Sequence, residues 1–378
     1  MSETHHVYFI PGMFGFGHLA GYDYFGHLQR GLERRFADAG IQAIFDDVSA
    51  PPTGSLRGRT RVLARTVYEQ TRDNEGPIHL VGHSTGGLDS RLILSPSVDL
   101  GPDQKYLGWT KRVRSAVSVN TPHYGTPLAG YFATVSGTRA LYLLSLLTFV
   151  SLSVGEPSLA IFSRVLAGLG GIDRLFGGDL KLFRRATDSI LRFVDNDGRV
   201  EITSFMDQIR IDQGGVIQIM PEAIDLFNAT TEDNPNVRYG CVATAAPRPS
   251  SMRFLRRLIS PYGAFTAAVF STLYQFTSQW PRMYPYATPT PQQQGVLDAG
   301  FVDELTRSSN DGVVPTLSML WGRLLFAGEA DHLDVLGHFY DRIRPTDHVD
   351  WVTSGSDFTR SRFDALLDAV ARFQHASV

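Results

Sequence analysis

Apolar and polar positions along the first third of the chain alternate between two periods. Residues 7–10 (VYFI) form a short apolar run that predicts a buried strand. A glycine-rich loop follows, and then a helical pattern over 24–39 that Gly40 is placed to stop. IQAIF predicts a second strand, and a basic amphipathic helix is expected near 59–71. The apolar strand 78–81 comes next, LDSRLIL continues as a helix, and RSAVSVN (114–120) predicts another strand. Strands and helices in strict alternation predict an α/β protein, with a mostly parallel central sheet and helices on both faces.

From about Leu128 the pattern changes. Residues 140–155 carry no charge, yet the run is shorter than the roughly 20 residues a bilayer span needs. Ser145, Thr148 and Ser151 recur every third position and give that stretch a thin polar stripe. A second uncharged stretch, 258–281, is broken by Pro261 and Gly263. Both predict apolar helices covering a site, as cap or lid insertions at 128–220 and 250–295 within one domain spanning 1–378. PYATPTPQQQG (285–295) reads as a proline-punctuated loop. The sheet pattern resumes with VRYGCVATAAP (237–247) and again near SSNDGVVP (308–315), before a final helix over 361–373.

Composition narrows the function classes. With 378 residues and 43% hydrophobic content, the chain can build a sizeable core. A formal charge of -3 gives no reason to expect a nucleic-acid partner. The basic clusters (Arg57, Arg59, Arg61 and Arg65; Lys111, Arg112 and Arg114; Arg253, Arg256 and Arg257) read as solvated faces. Cys241 is the sole cysteine, which excludes an intrachain disulfide and a cysteine-based metal cluster. MSETHHVYFIPG lacks a charged region followed by an apolar one, so a cytoplasmic location is expected, although a removed leader leaves no trace.

The candidate chemistry begins at HLVGHSTGGLDSR (79–91), where Gly82-His83-Ser84-Thr85-Gly86 fits G-x-S-x-G between a strand and a helix. A sharp strand-to-helix turn lifts a serine hydroxyl into the open, and it needs residues with little side chain on either side. The helix then starts at the serine, so the Thr85 N–H points toward an oxyanion formed there. A serine hydroxyl needs a base, and in this arrangement an acid precedes the histidine in the chain. Asp311 in SSNDGVVP and His332 in ADHLDVLGHF supply that pair, 21 residues apart. Asp303 is the alternative acid, and His338 and His348 are the alternative bases. Against these stands the plain reading of NDG as an ordinary turn. The loop IPGMFGFG, where Gly12 allows a sharp turn, places the Met13 N–H as the second oxyanion donor.

One competing motif lies in the same loop. Gly15-Phe16-Gly17-His18-Leu19-Ala20 matches the dinucleotide pattern G-x-G-x-x-G/A, and Asp46 and Asp47 end the next strand where a ribose-binding acid would stand. Its glycines begin several residues past the strand, and it leaves the Ser84, Asp311 and His332 segments unexplained.

IPGMFGFG, VGHSTGGLDSR, VNTPHYGTPLAG, PEAIDLFNAT, NDGVVP and DHLDVLG, in that order, resemble the true bacterial triacylglycerol lipases of the α/β-hydrolase fold. The resemblance implies Ser84, Asp311 and His332 as a catalytic triad with Met13 and Thr85 as oxyanion donors. It also departs from the family: Pro11 stands where a histidine is usual, and Thr85 where a glutamine often follows the serine. Many members bind a structural calcium near the histidine. Asp334 matches one such ligand, but His338 replaces the usual glutamine and no partner aspartate is placed. Otherwise no cofactor is expected, and no Cys/His cluster argues for zinc.

The residues together predict a serine ester hydrolase acting on hydrophobic acyl esters, lipid or polyester, with interfacial contact through the lid. The same triad also serves a polyester depolymerase, an acyltransferase or a thioesterase. From a different class, a hydrolase-fold binding protein that has lost catalysis is the remaining alternative.

Overall fold

The computed structural model describes residues 3–13, 18, 19, 22–72, 74–134, 145, 196–249, 261–339, 352 and 354–376. Six strands form one sheet: β1 (His5–Ile10), β2 (Ala43–Asp47), β3 (Ile78–His83), β4 (Val113–Val119), β5 (Arg238–Ala245) and β6 (Arg323–Glu329). Their spatial order is β2-β1-β3-β4-β5-β6, with every neighbouring pair parallel. Among the described residues the α-helices are α1 (Gly26–Asp38), α2 (Leu56–Thr71), α3 (Thr85–Leu94), α4 (Pro127–Phe132) and α5 (Asn196–Ile211), then α6 (Gly214–Gln218), α7 (Pro221–Thr230), α8 (Pro261–Thr277), α9 (Pro291–Gly300) and α10 (Arg360–His375).

Both β1 and β3 are buried along their whole length, as parallel strands covered on two faces must be. Alternate side chains divide between the faces. Val7, Phe9 and Val81 pack with Leu28, Leu32, Phe363 and Leu367 of α1 and α10. Tyr8, Ile10, Ile78 and Leu80 pack with Leu63, Val67 and Ile93 of α2 and α3. At the other edge, Cys241 and Ala243 lie under Leu297 of α9, and burial pushes the Cys241 thiol up to about 12.

The chain steps outward from β1 to β2 and then returns past β1 to β3. Successive connections therefore diverge at the gap between β1 and β3. In open α/β sheets such a reversal leaves a crevice at the carboxyl ends of the strands, where ligands bind.

Two expectations need correction, and the competing motif already set aside finds no support. SSNDGVVP is no strand: it makes one isolated bridge, Asn310 with Pro315, and the sheet resumes only at RLLFAGE in β6. As an edge strand β6 is half covered, so it lacks the continuous apolar run that marks β1 and β3. PYATPTPQQQG is a loop only up to Thr290, which starts α9 by a reciprocal cap: its hydroxyl accepts from the Gln293 N–H while the Gln293 side chain accepts from the Thr290 N–H. Pro291 follows at the first helical position, where its missing N–H costs nothing. The dinucleotide motif fails as well, because His18–Leu19 pairs with Tyr22–Asp23 in a short antiparallel ribbon instead of entering a helix.

Of the expected caps, 140–155 lies outside the described residues apart from Ser145. The second apolar stretch contains α8, which packs on α4 through Tyr131 and Phe276 with ring centroids 4.1 Å apart. Among the described residues no helix is long and apolar enough to cross a membrane.

Four histidines gather at the amino-terminal end of the sheet. His5 hydrogen-bonds His79 at 2.9 Å, His79 bonds the Ser115 hydroxyl at 2.8 Å, and His6 and His375 lie beside them. Burial lowers all four, His79 to about 3. Burial also holds His83 and His123 well below their ordinary value. An unfolded chain takes up these protons near pH 6.5, whereas the folded chain does not, so stability drops as the pH falls below 6.5. Each such histidine removes stability as the pH falls from its unfolded value toward its lower folded one. Asp46 and Asp89, raised by burial, pull the other way but are outnumbered. Unfolding free energy should therefore decline from pH 6.5 to 5, as read by urea titration; a flat or rising profile contradicts this account.

Candidate active site

Ser84 stands between β3 and α3 with φ 53 and ψ -126, a left-handed backbone for a residue with a side chain. Such conformations cost about 1–3 kcal/mol and persist only where their surroundings impose them. Here the surroundings are backbone. A Cβ on Gly86 would lie 2.0 Å from the Ile10 carbonyl oxygen, so the first turn of α3 rides directly over the end of β1. A Cβ on Gly12 would lie 2.5 Å from the Ser84 Cβ and 3.1 Å from its Oγ. The loop after β1 thus touches the serine because it has no side chain there. Thr85 is the first residue of α3, where a helix leaves its N–H without an internal partner. Met13 lines the same cavity as Ser84.

The loop carrying Gly12 and Met13 is pinned by a residue the sequence pattern put on a solvated face. Arg59 is buried, not solvated. Its guanidinium donates to Asp89 Oδ2 at 2.8 Å, to the Pro51 carbonyl at 2.6 Å and to the Pro11 carbonyl. One side chain of α2 therefore ties the nucleophile helix, through Asp89, to the candidate oxyanion loop. Burial raises the Asp89 carboxyl to about 6, against the pull of Arg59. The rest of the cluster behaves as expected, Arg65 pairing with Asp103 at 2.7 Å and Arg57 with Asp99 at 3.6 Å near the surface. Helix periodicity alone hinted at Arg59, which shares the inner face with Leu56 and Leu63.

His332 and Asp311 meet as the spacing suggested. His332 Nδ1 donates to Asp311 Oδ2 at 2.6 Å, with the carboxylate fully buried. The Asp311 turn supplies its own clamp, Oδ1 accepting from the N–H groups of Val313 at 2.8 Å and Val314 at 2.7 Å. A further donor comes from Asn120 at the end of β4, 3.0 Å from Oδ2. Ser84 and His332 face one cavity of about 60 Å³, walled by Met13, Tyr24, Leu128 and Phe132 among others.

The backbone of His332 is held separately. His83 Nε2 lies 2.9 Å from the His332 carbonyl oxygen, which can only accept, so the proton of this neutral ring sits on Nε2. Nδ1 then accepts from the Tyr24 hydroxyl at 2.8 Å. Burial first, and the neighbouring His332 second, hold His83 well below its ordinary value.

The alternatives fall elsewhere. Asp303 is exposed and lines a different cavity of about 400 Å³ with Arg248 and Glu304. His338 is buried, its Nε2 on the Tyr24 carbonyl at 2.9 Å. His348 lies outside the described residues. For Asp334, the calcium ligand the family resemblance suggested, the surroundings supply protons instead of a cation. Its Oδ2 accepts from the Asp331 N–H at 2.9 Å and the Ser356 hydroxyl at 2.6 Å. Asp331 in turn accepts from the Ser354 hydroxyl at 2.8 Å and the Leu333 N–H at 3.0 Å. Among the described residues no group of three or more His, Cys, Asp or Glu could hold a metal ion.

A triacylglycerol lipase of Vibrio cholerae is 30% identical to this chain over 123 residues, covering 32% of this chain and 34% of the lipase. The match thus spans about a third of that relative. No family model matches. Among solved structures, EstA from Clostridium botulinum superposes with a TM-score of 0.50 at 18% identity, covering 94% of this chain and 87% of EstA. The Staphylococcus hyicus lipase gives 0.47 at 18% identity over 99% and 96%, and a metagenomic carboxyl esterase 0.48 at 16% over 99% and 76%. The chain has the α/β-hydrolase fold.

Because Arg59 and Asp89 are buried charges, removing one alone strands the other. Arg59→Met should cost about 3–5 kcal/mol of stability in denaturant titration, and the double variant Arg59→Met/Asp89→Leu should regain much of it. Equal loss in the single and double variants would contradict a buried ion pair.

Proposed function

We propose that this protein is a serine carboxylic ester hydrolase acting on hydrophobic acyl esters, through an acyl-enzyme on Ser84. The observation that carries this reading is the convergence, in one apolar cavity, of a serine on a strained turn and a histidine bonded to a buried carboxylate. The name of the Vibrio cholerae relative, triacylglycerol lipase, supports the same reaction class.

In the proposed reaction His332 Nε2 takes the Ser84 proton as Oγ attacks the ester carbonyl. Asp311 keeps the imidazole in the tautomer with its proton on Nδ1 and stabilises the imidazolium that forms. The N–H groups of Met13 and Thr85 carry the tetrahedral oxyanion, each such donor contributing about 3 kcal/mol in related hydrolytic sites. His332 then protonates the departing alcohol. Water repeats the sequence on the acyl-enzyme, releasing the acid and restoring Ser84.

The cavity supports an apolar acyl group, because Leu128, Ala129, Phe132 and Ile219 form its wall. At about 60 Å³ it has room for a few waters and not for an acyl chain. In this reading α4, which forms much of the wall, is the part that yields to an acyl chain at a lipid or polyester surface. No step calls for a metal.

Ser84→Ala should lose both ester turnover and labelling by an active-site phosphonate; a variant still labelled would overturn the assignment. On nitrophenyl esters kcat/KM should rise from acetyl to octanoyl, and a preference for acetyl would contradict the apolar acyl pocket. Exhaustive chelation should leave thermal stability and turnover unchanged, whereas a drop reversed by added calcium would contradict the reading of Asp334 as a hydroxyl-bonded carboxylate.

A further inference from the structure

We propose that Asn120 is the positioning residue for Asp311: its side-chain amide fixes the carboxylate oxygen on which His332 hangs. The inference rests on the ester-hydrolase reading of the site. It starts from the acceptor positions of Asp311. Oδ1 is filled by two amides of its own turn, from Val313 and Val314. Oδ2 carries His332 at 2.6 Å and Asn120 Nδ2 at 3.0 Å. The turn therefore anchors one oxygen, and Asn120 is the donor that anchors the other from a different strand.

The amide has one workable orientation. Its NH2 group also donates to Thr244 Oγ1 at 2.8 Å, and rotating the amide by half a turn would set its carbonyl oxygen against the Asp311 carboxylate. The backbone is equally fixed, at φ 48, with the Asn120 N–H donating to the Val242 carbonyl of β5 at 3.1 Å. Left-handed backbone suits glycine best and asparagine among the few others. Glycine would satisfy the turn without further consequence. Asparagine instead buries a side-chain carbonyl, Oδ1, that has no hydrogen-bond partner. A side chain kept only for its backbone preference would not carry that penalty, so the NH2 end is what the position requires.

Losing this donor concentrates charge on Oδ2. Oδ2 then has no anchor besides His332 itself, so the imidazole is held less well toward Ser84 and kcat falls, while the more basic carboxylate makes His332 keep its proton to higher pH. His83, with its ring centroid 4.6 Å from that of His332, stays neutral across this range and does not confuse the readout.

The experiment compares wild type with Asn120→Gly, which keeps the left-handed turn, and Asn120→Ala, which removes the donor without adding a carboxyl group that could share a proton with Asp311. Kinetics on a soluble nitrophenyl ester should show kcat about tenfold lower in the glycine variant, KM within about twofold, and the acid limb of kcat/KM about half a pH unit higher. The alanine variant should lose at least as much kcat. A glycine variant with wild-type kcat and an unmoved acid limb, whatever its melting temperature, overturns the inference. If the glycine variant does not fold, an alanine variant with wild-type kcat overturns it instead. Failure of the ester-hydrolase reading appears earlier and differently, as wild-type protein that neither turns over esters nor reacts with a phosphonate, and it removes both.

Discussion

The close passage of α3 over the end of β1 is the constraint on which the rest of the site depends. Gly86 comes so near the Ile10 carbonyl that a single methyl group would be excluded. This approach forces the chain to turn within one residue, and Ser84 absorbs the turn at φ 53. The strain is held by β4, whose Val119 carbonyl accepts the Ser84 N–H at 2.8 Å. With the serine lifted out of the sheet, the loop after β1 can lie beside it only through Gly12. The position of the site thus follows from topology: β1 and β3 are neighbours, and the chain reverses direction across the sheet between them.

Backbone contacts at this distance need an outside brace, and Arg59 provides it with three bonds in three directions. The guanidinium suits the task because its donors form a rigid planar fork. A buried ion pair adds little net stability over well-packed apolar residues, so its worth here lies in geometry. It fixes α3, the loop after β1 and the segment at Pro51 relative to one another.

The sequence made the chemistry easier to read than the scaffold that holds it. G-x-S-x-G between a strand and a helix, an Asp in a tight turn and a histidine 21 residues later are short-range signals, and in the structure the Asp bonds the histidine, which lines one cavity with Ser84. Buried strands were legible for the same reason, since a run covered on both faces is apolar throughout. The half-covered β6 has no such run, and its place was assigned to NDGVVP, which only turns. Arg59 and Asn120 were missed because an arginine on a helix and an asparagine after a strand have solvent as their ordinary partner. Only the third dimension shows Asp89 and Asp311 waiting for them. The cap at Thr290 is different, for T-P-x-Q was readable as a helix start and the surrounding prolines obscured it.

The protonation states around His332 complete the physical picture. In the proposed reaction its ring must become positive at the moment of attack, beside the ring of His83. A charge on His83 would oppose that step by about 4 kcal/mol at the 4.6 Å separation and an effective dielectric of 20. Burial removes the problem by keeping His83 neutral, and neutrality fixes its tautomer, with Nε2 donating to the His332 carbonyl and Nδ1 accepting from Tyr24. The same desolvation therefore does two things. It clears positive charge from the neighbourhood of the imidazolium, and it makes the residue preceding the serine a directional clamp on the backbone of the base. His332 is in this way held by a carboxylate at its ring and by a neutral imidazole at its main chain, which leaves Nε2 as the nitrogen available to Ser84.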